Sequence, residues 1–241
     1  MPARQWYNYG RMEPQGLELG RIKVICLDVD GTLRKTDEQY TARINTLLSP
    51  LRWVSRRNTL PIARSIVTRF EDPVNNLFTF AERLHVHAPL HKLVDVANPW
   101  KRRRSRPGYY QTIPDLQPAI EKLAFSYPLA VISVRGAVGT KHFLQQTGLA
   151  EYFTYVVSGQ TARHSKPYPH QVYWVAQQMK IDPSQCLVVG DTTIDIRAGR
   201  TAGAQTVGVL SGFGKEWELR AAGADLILPS VAELPGALGL K

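Results

Sequence analysis

Residues 22–36 read IKVICLDVDGTLRKT. From Ile22 to Val29 the side chains are almost all apolar, which predicts a strand buried on both faces. Two aspartates, Asp28 and Asp30, then arrive where that strand must surface, followed by Gly31, Thr32 and Leu33. One aspartate at a strand end is an ordinary solvated residue. Two of them repel each other once more acid gathers nearby, unless a cation sits between them.

Outward from this stretch the period of apolar residues changes. Tyr40, Ile44, Leu47, Leu48 and Leu51 fall at helical spacing, and 60–72, 73–87 and 88–100 also read as helices. A polar, basic stretch with proline, KRRRSRPGYYQTIP, follows and reads as a linker. Beyond it, apolar runs alternate with amphipathic ones. LAVISV, FTYVVSG, CLVVGD, QTVGVL and DLILPS read as strands, and the segments between them as helices. That alternation predicts an α/β core with a Rossmann-like parallel sheet covered on both faces, interrupted after its first strand by a helical insert. The expected division is an N-terminal tail at 1–20, a core at 21–35 and 108–241, and an α-helical cap at 36–107. In such sheets ligands bind at the carboxyl ends of the strands. Those ends carry Asp28 and Asp30, Ser133 and Arg135, Ser158, and Asp191.

The chain has 241 residues, 44% of them hydrophobic, enough for one sizeable core and a smaller second unit. No apolar run approaches the ~18–20 residues of a membrane span, and the first 21 residues contain no apolar signal segment. Cys26 and Cys186 each lie inside a strand-like run, as expected of buried free thiols in a reducing, cytoplasmic setting. The formal charge is +10, and residues 34–111 hold 15 Lys+Arg against 6 Asp+Glu. One segment therefore carries nearly all the excess, which suits an anionic partner or substrate.

Two familiar loops are excluded by spacing. A calcium loop starting at Asp28 would need Asp or Asn at its fifth position, glycine at its sixth and glutamate at its twelfth, where Thr32, Leu33 and Gln39 stand. A phosphate loop ending in GFGK at 212–215 would need glycine where Val209 stands. The segments DVDGTL, VISVRG, HSKPYP and GDTTIDIRAG, in that order, instead resemble the four motifs of the haloacid dehalogenase-like (HAD) hydrolase superfamily. The likeness covers residues 21–35 and 108–235, and the insert resembles the helical cap of the phosphoglycolate phosphatase-like subgroup.

What the resemblance implies can be stated residue by residue. Asp28 is the nucleophile and forms an aspartyl-phosphate. Asp30 is the general acid and base, expected to start protonated because other carboxylates and burial raise its pKa. Ser133 and the backbone N–H of Val134 hold the transferring phosphoryl group. Lys166 neutralises charge between Asp28 and the phosphate. Asp191 binds Mg²⁺, Asp195 supports it, and Asp28 and the backbone carbonyl of Asp30 complete the protein's ligands. The family pattern often has Asn where Val134 stands, so Arg135 and, at the cap hinge, Arg34 are the candidates for contacting the rest of the substrate. Thr32 is expected to bond backbone in the turn. A phosphatase acting on a small phosphorylated substrate follows, with a phosphomutase of the same family sharing every motif. Binding of nucleic acid or protein by the run Lys101 to Arg106 is the less favoured alternative, and His85, His87 and His91 read as surface residues rather than a metal cluster.

Overall fold

The computed structural model of the chain describes residues 16–35 and 110–240. The helices expected within 36–107, the three histidines there and the basic run 101–106 lie outside the described residues. By contacts the chain divides into two units, residues 1–35 with 112–241 and residues 36–111.

Six strands form one sheet: β1 (Val24–Leu27), β2 (Leu129–Ile132), β3 (Phe153–Val157), β4 (Cys186–Gly190), β5 (Gln205–Val209) and β6 (Leu226–Leu228). Their order is β3-β2-β1-β4-β5-β6, and every neighbouring pair is parallel. Every residue of β1, β2, β4 and β5 is buried. This is the consequence of helices on both faces, and it is why these strands read as unbroken apolar runs rather than as alternating ones. The edge strand β3 does alternate, burying Phe153 and Val157 while Thr154 and Val156 are exposed. The predicted α/β class and parallel sheet are therefore those observed.

The helices among the described residues are α1 (Leu116–Ser126), α2 (Ala137–Gln146), α3 (His170–Met179), α4 (Thr193–Ala202), α5 (Glu216–Ala221) and α6 (Leu234–Ala237). Helix α3 buries Val172, Val175 and Ala176 against Val24, Cys26, Ala130, Ile132 and Val157. Residues at i, i+3 and i+4 make one apolar stripe, and the stripe faces the sheet. Cys26 and Cys186 are both buried and unbonded to any disulfide partner. The end of the expected tail is tied down: the N–H of Glu18 donates to the Gln205 side chain, whose amide donates back to the Glu18 carbonyl.

From β1 the chain crosses to β2 and β3 on one side and returns to β4 and β5 on the other. The direction of winding thus reverses beside β1. Loops there diverge, and they leave a crevice at the carboxyl ends of β1 and β4. No helix of the described residues is long and apolar enough to cross a membrane.

Candidate active site

Four strand ends meet at that crevice. Asp28 follows β1, Ser133 follows β2, Ser158 follows β3 and Asp191 follows β4, and all four are buried. Lys166 arrives from the loop before α3 and Asp195 from the first turn of α4, both also buried. The Lys166 ammonium donates to Asp28 Oδ1 at 2.6 Å and to Asp195 Oδ1 at 2.5 Å. Asp28, Asp191 and Asp195 each offer an oxygen within 4.8 Å of the others. Residues separated by up to 167 positions in sequence are thus brought to one point by the sheet.

Asp195 does two jobs. Its Oδ2 accepts from the backbone N–H and the hydroxyl of Thr192, closing the start of α4, and its other oxygen holds Lys166. Its position is therefore fixed by the capping bonds that start α4. Asp191 is gripped from the side. The loop after β5 gives its Oδ2 a hydrogen bond from the Phe213 N–H at 2.7 Å, and its carbonyl accepts from the Gly214 N–H at 3.0 Å. A methyl group on either Gly31 or Gly212 would collide with the Asp191 carboxylate, so glycine is needed at both. Gly31 also sits at φ +83°, where other residues are strained. The other Asp191 oxygen, Oδ1, is buried and has no hydrogen-bond partner. A lone, solvent-shielded carboxylate oxygen beside two more carboxylates is the donor set a hard cation takes, and these residues fit one.

Electrostatics follow from this crowding. Burial raises the Asp28 carboxyl, Lys166 pulls it down, and Asp195 and Asp30 push it up again, leaving it at about 7. Burial, then Asp195 and Asp28, raise Asp191 well above the usual carboxylate range. Burial lowers the Lys166 ammonium, but Asp195 and Asp28 more than offset this and raise it above its ordinary value. Native Asp28 and Asp191 thus hold protons more tightly than the unfolded chain does. The metal-free protein is therefore expected to lose stability as pH rises from 3.8 through about 7. Asp191→Asn removes one source of that fall and should flatten it. Urea midpoints of both proteins in chelator, from about pH 5 to about pH 8, measure this; parallel curves would contradict the account.

Asp30 differs from its expected state. Its carboxylate turns away from the other three and takes an ion pair from Arg135 Nε and another from Arg34 Nη1, the latter at 3.2 Å. Burial raises its pKa, but the Arg135 and Arg34 guanidiniums outweigh burial and hold it below the usual range. The sequence-based expectation of a raised pKa is therefore corrected: two arginines face Asp30. The same turn keeps the Asp30 side chain out of the acidic trio. Arg34 and Arg135, read from sequence as substrate contacts, are both placed on Asp30. Thr32 is corrected as well. Its hydroxyl is buried without a partner, because the turn closes through backbone, with Leu33 N–H and Arg34 N–H both on the Val29 carbonyl.

Ser133 is wholly buried, and its Oγ accepts from the Arg135 N–H at 3.1 Å. That leaves the hydroxyl proton available for donation. Val134 exposes its side chain. The residues that sequence reasoning missed are Gly212, Phe213 and Gly214, which wrap Asp191. The signal was the Gly-x-Gly that follows a strand at Ser211, examined only as a phosphate loop.

Comparisons with known proteins agree with this geometry. The family described as haloacid dehalogenase-like hydrolase matches residues 25–209. The phosphoglycolate phosphatase of Nitrosococcus oceani is 26% identical over 232 residues, spanning 91% of this chain and 98% of that one. The phosphoglycolate phosphatase of Escherichia coli K12 is 33% identical over 113 residues, 47% of this chain and 45% of that one. The crystal structure of a HAD family hydrolase from Deinococcus radiodurans with bound phosphate and sodium has the same fold, with a TM-score of 0.62 at 23% identity over 91% of this chain and 96% of that one. With the family match extending from the first strand through the fifth, the chain belongs to the haloacid dehalogenase-like hydrolases.

Proposed function

We propose that this hydrolase is a phosphatase, releasing phosphate from a small phosphomonoester with Asp28 as nucleophile and Mg²⁺ as its resident cation. The observation that carries the reading is the buried Lys166 gripping Asp28 beside an acidic trio with one unpartnered oxygen. Asp28, Asp191 and the Asp30 carbonyl would hold the ion, with Asp195 in support. When bound, it supplies the positive charge that lets a carboxylate approach a phosphate dianion.

The chain's own groups do the rest. Asp28 Oδ attacks phosphorus and the bond to the substrate's ester oxygen breaks, giving an aspartyl-phosphate and an alcohol. Asp30 supplies the alcohol's proton once it is protonated, which requires Arg34 and Arg135 to turn from it to the substrate's anionic groups. Ionised, as Arg34 and Arg135 hold it in the described state, it takes a proton from the water that then attacks the aspartyl-phosphate, and the bond between phosphorus and Asp28 Oδ breaks to free inorganic phosphate and the Asp28 carboxylate. Splitting one displacement into two lets a single carboxyl serve both proton transfers. Lys166 fixes the orientation of Asp28 and offsets charge on the transferring group. The Ser133 hydroxyl and the Val134 N–H are the donors for its oxygens.

The relatives' name makes phosphoglycolate the first substrate to try. The two guanidiniums beside Asp30 also suit a substrate with a second anionic group. We assign segment 36–107 to the cap of the family, and a reducing, cytoplasmic setting to the buried thiols Cys26 and Cys186. Turnover of 4-nitrophenyl phosphate and phosphoglycolate is expected to vanish in excess chelator and return with Mg²⁺. Activity that survives exhaustive chelation would overturn the reading. A phosphorylated sugar converted to its isomer without phosphate release would favour the mutase alternative.

A further inference from the structure

We infer that Gln171 aims the phosphoryl-binding peptide, the one joining Ser133 to Val134. Gln171 lies in the first turn of α3 and is wholly buried. Its Nε2 donates to the Ser133 carbonyl at 2.8 Å and to the Ser158 carbonyl at 3.0 Å. A trans peptide is planar, with its C=O and N–H pointing to opposite sides. Fixing the Ser133 carbonyl towards α3 therefore fixes the Val134 N–H away from α3. This is the N–H assigned above to the phosphoryl group, so the inference rests on that reading.

The peptides on either side of it are restricted as well. The Ser133 N–H donates to the Val157 carbonyl at 2.9 Å, and the Gly159 N–H donates to the Arg135 carbonyl at 2.8 Å. A methyl group on Gly159 would lie 2.6 Å from the Val134 carbonyl oxygen. The Ser158 N–H and hydroxyl are in turn held by Thr161 Oγ1, so the strand end that Gln171 also grips is itself immobilised. Gln171 Oε1 is buried with no partner. A buried amide that leaves its acceptor unpaired is unfavourable in itself, so its value lies in its two donor bonds. Without them the Ser133 carbonyl loses its two anchors, and a carbonyl turned towards the site would repel a phosphoryl oxygen. Gln171 touches neither substrate nor the reacting atoms and is a positioning residue.

Gln171→Met keeps length and bulk and removes both donors. Its affinity for inorganic phosphate in the presence of Mg²⁺, by calorimetry, is expected to fall about 10-fold, and kcat/KM for 4-nitrophenyl phosphate about 10- to 100-fold. Mg²⁺ affinity should be unchanged, because the acidic trio is untouched. Gly159→Ala pushes on the next peptide, Val134–Arg135, through the Val134 carbonyl and should weaken phosphate binding in the same direction. In the wild type the Val134 amide resonance should shift on phosphate addition, a reading that holds even where a variant fails to fold. A Gln171→Met protein with lowered Tm but wild-type phosphate affinity and KM would reduce Gln171 to a tie between strands and overturn the inference. So would a Val134 amide indifferent to bound phosphate. A wild type that neither binds phosphate nor hydrolyses the ester would instead bring down the phosphatase reading, and this inference with it.

Discussion

Asp28→Asn is expected to lower kcat by about 10⁴-fold or more, the scale seen when a covalent nucleophile is removed. The amide nitrogen and oxygen have no anionic lone pair to place on phosphorus, so the first displacement does not start. The variant should nevertheless fold. The backbone N–H of Asp28 stays bonded to the Val189 carbonyl, which extends the β1–β4 ladder. Lys166 keeps Asp195 as its ion-pair partner at 2.5 Å. Asp28→Asn also removes a buried acid that burial first, and then Asp195 and Asp30, push up to about 7. Metal-free Asp28→Asn should thus be at least as stable as the wild type at neutral pH and still bind inorganic phosphate. The check is phosphate release in steady state, together with acid-quenched labelling of the protein by a radiolabelled phosphomonoester. Label on the wild type and none on the variant is the expected pair. Wild-type-like turnover by the variant would remove Asp28 from the mechanism.

The parts of this site that could be read from sequence share one property: they depend on local pattern. An apolar run ending in Asp28 and Asp30 reads as a buried strand that reaches a polar site at its carboxyl end. The same logic found Ser133 after β2 and Asp191 after β4. Arg34 on Asp30 is four residues away and was within reach of such reasoning. Arg135 on Asp30, 105 residues away, was not, and so the ionised state of Asp30 was missed. The Asp191 cradle was hidden for a related reason. Gly212 is required by the Asp191 carboxylate and Gly214 by the Asp191 carbonyl, both more than 20 positions earlier, and nothing in their own neighbourhood calls for glycine. Gln171 is a polar residue beside the apolar stripe of α3. Its buried position follows from two carbonyls on β2 and β3 that no periodicity in α3 reveals.

Lys166→Met is expected to destabilise the metal-free protein and to abolish efficient turnover together. The Lys166 ammonium is bonded to both Asp28 and Asp195, and only 1% of its side chain is exposed. Methionine fills the space of the alkyl stem, so packing is largely kept and the change is electrostatic. Leaving buried carboxylates without their cation costs about 3–5 kcal/mol, on the order of 10 °C in Tm for a chain of this length. The sign of the pH dependence follows from the same contacts. Lys166 is what pulls the Asp28 pKa down against burial, so in its absence Asp28 is raised further above 3.8. The loss should therefore be small below the ordinary carboxylate value and grow as pH rises beyond it. Mg²⁺ should return much of the lost stability, because a divalent ion bound only by the folded state supplies charge to the same trio. It should not return turnover, with kcat remaining at least about 10²-fold down, because Lys166 also fixes the attacking oxygen of Asp28 at 2.6 Å. Lys166→Arg is no substitute, since a planar guanidinium is too large for a pocket built around one nitrogen. A metal-free Lys166→Met protein that melts with the wild type at neutral pH would show that the trio is already neutral without its lysine, and that the buried ion pairs carry none of the charge assigned to them.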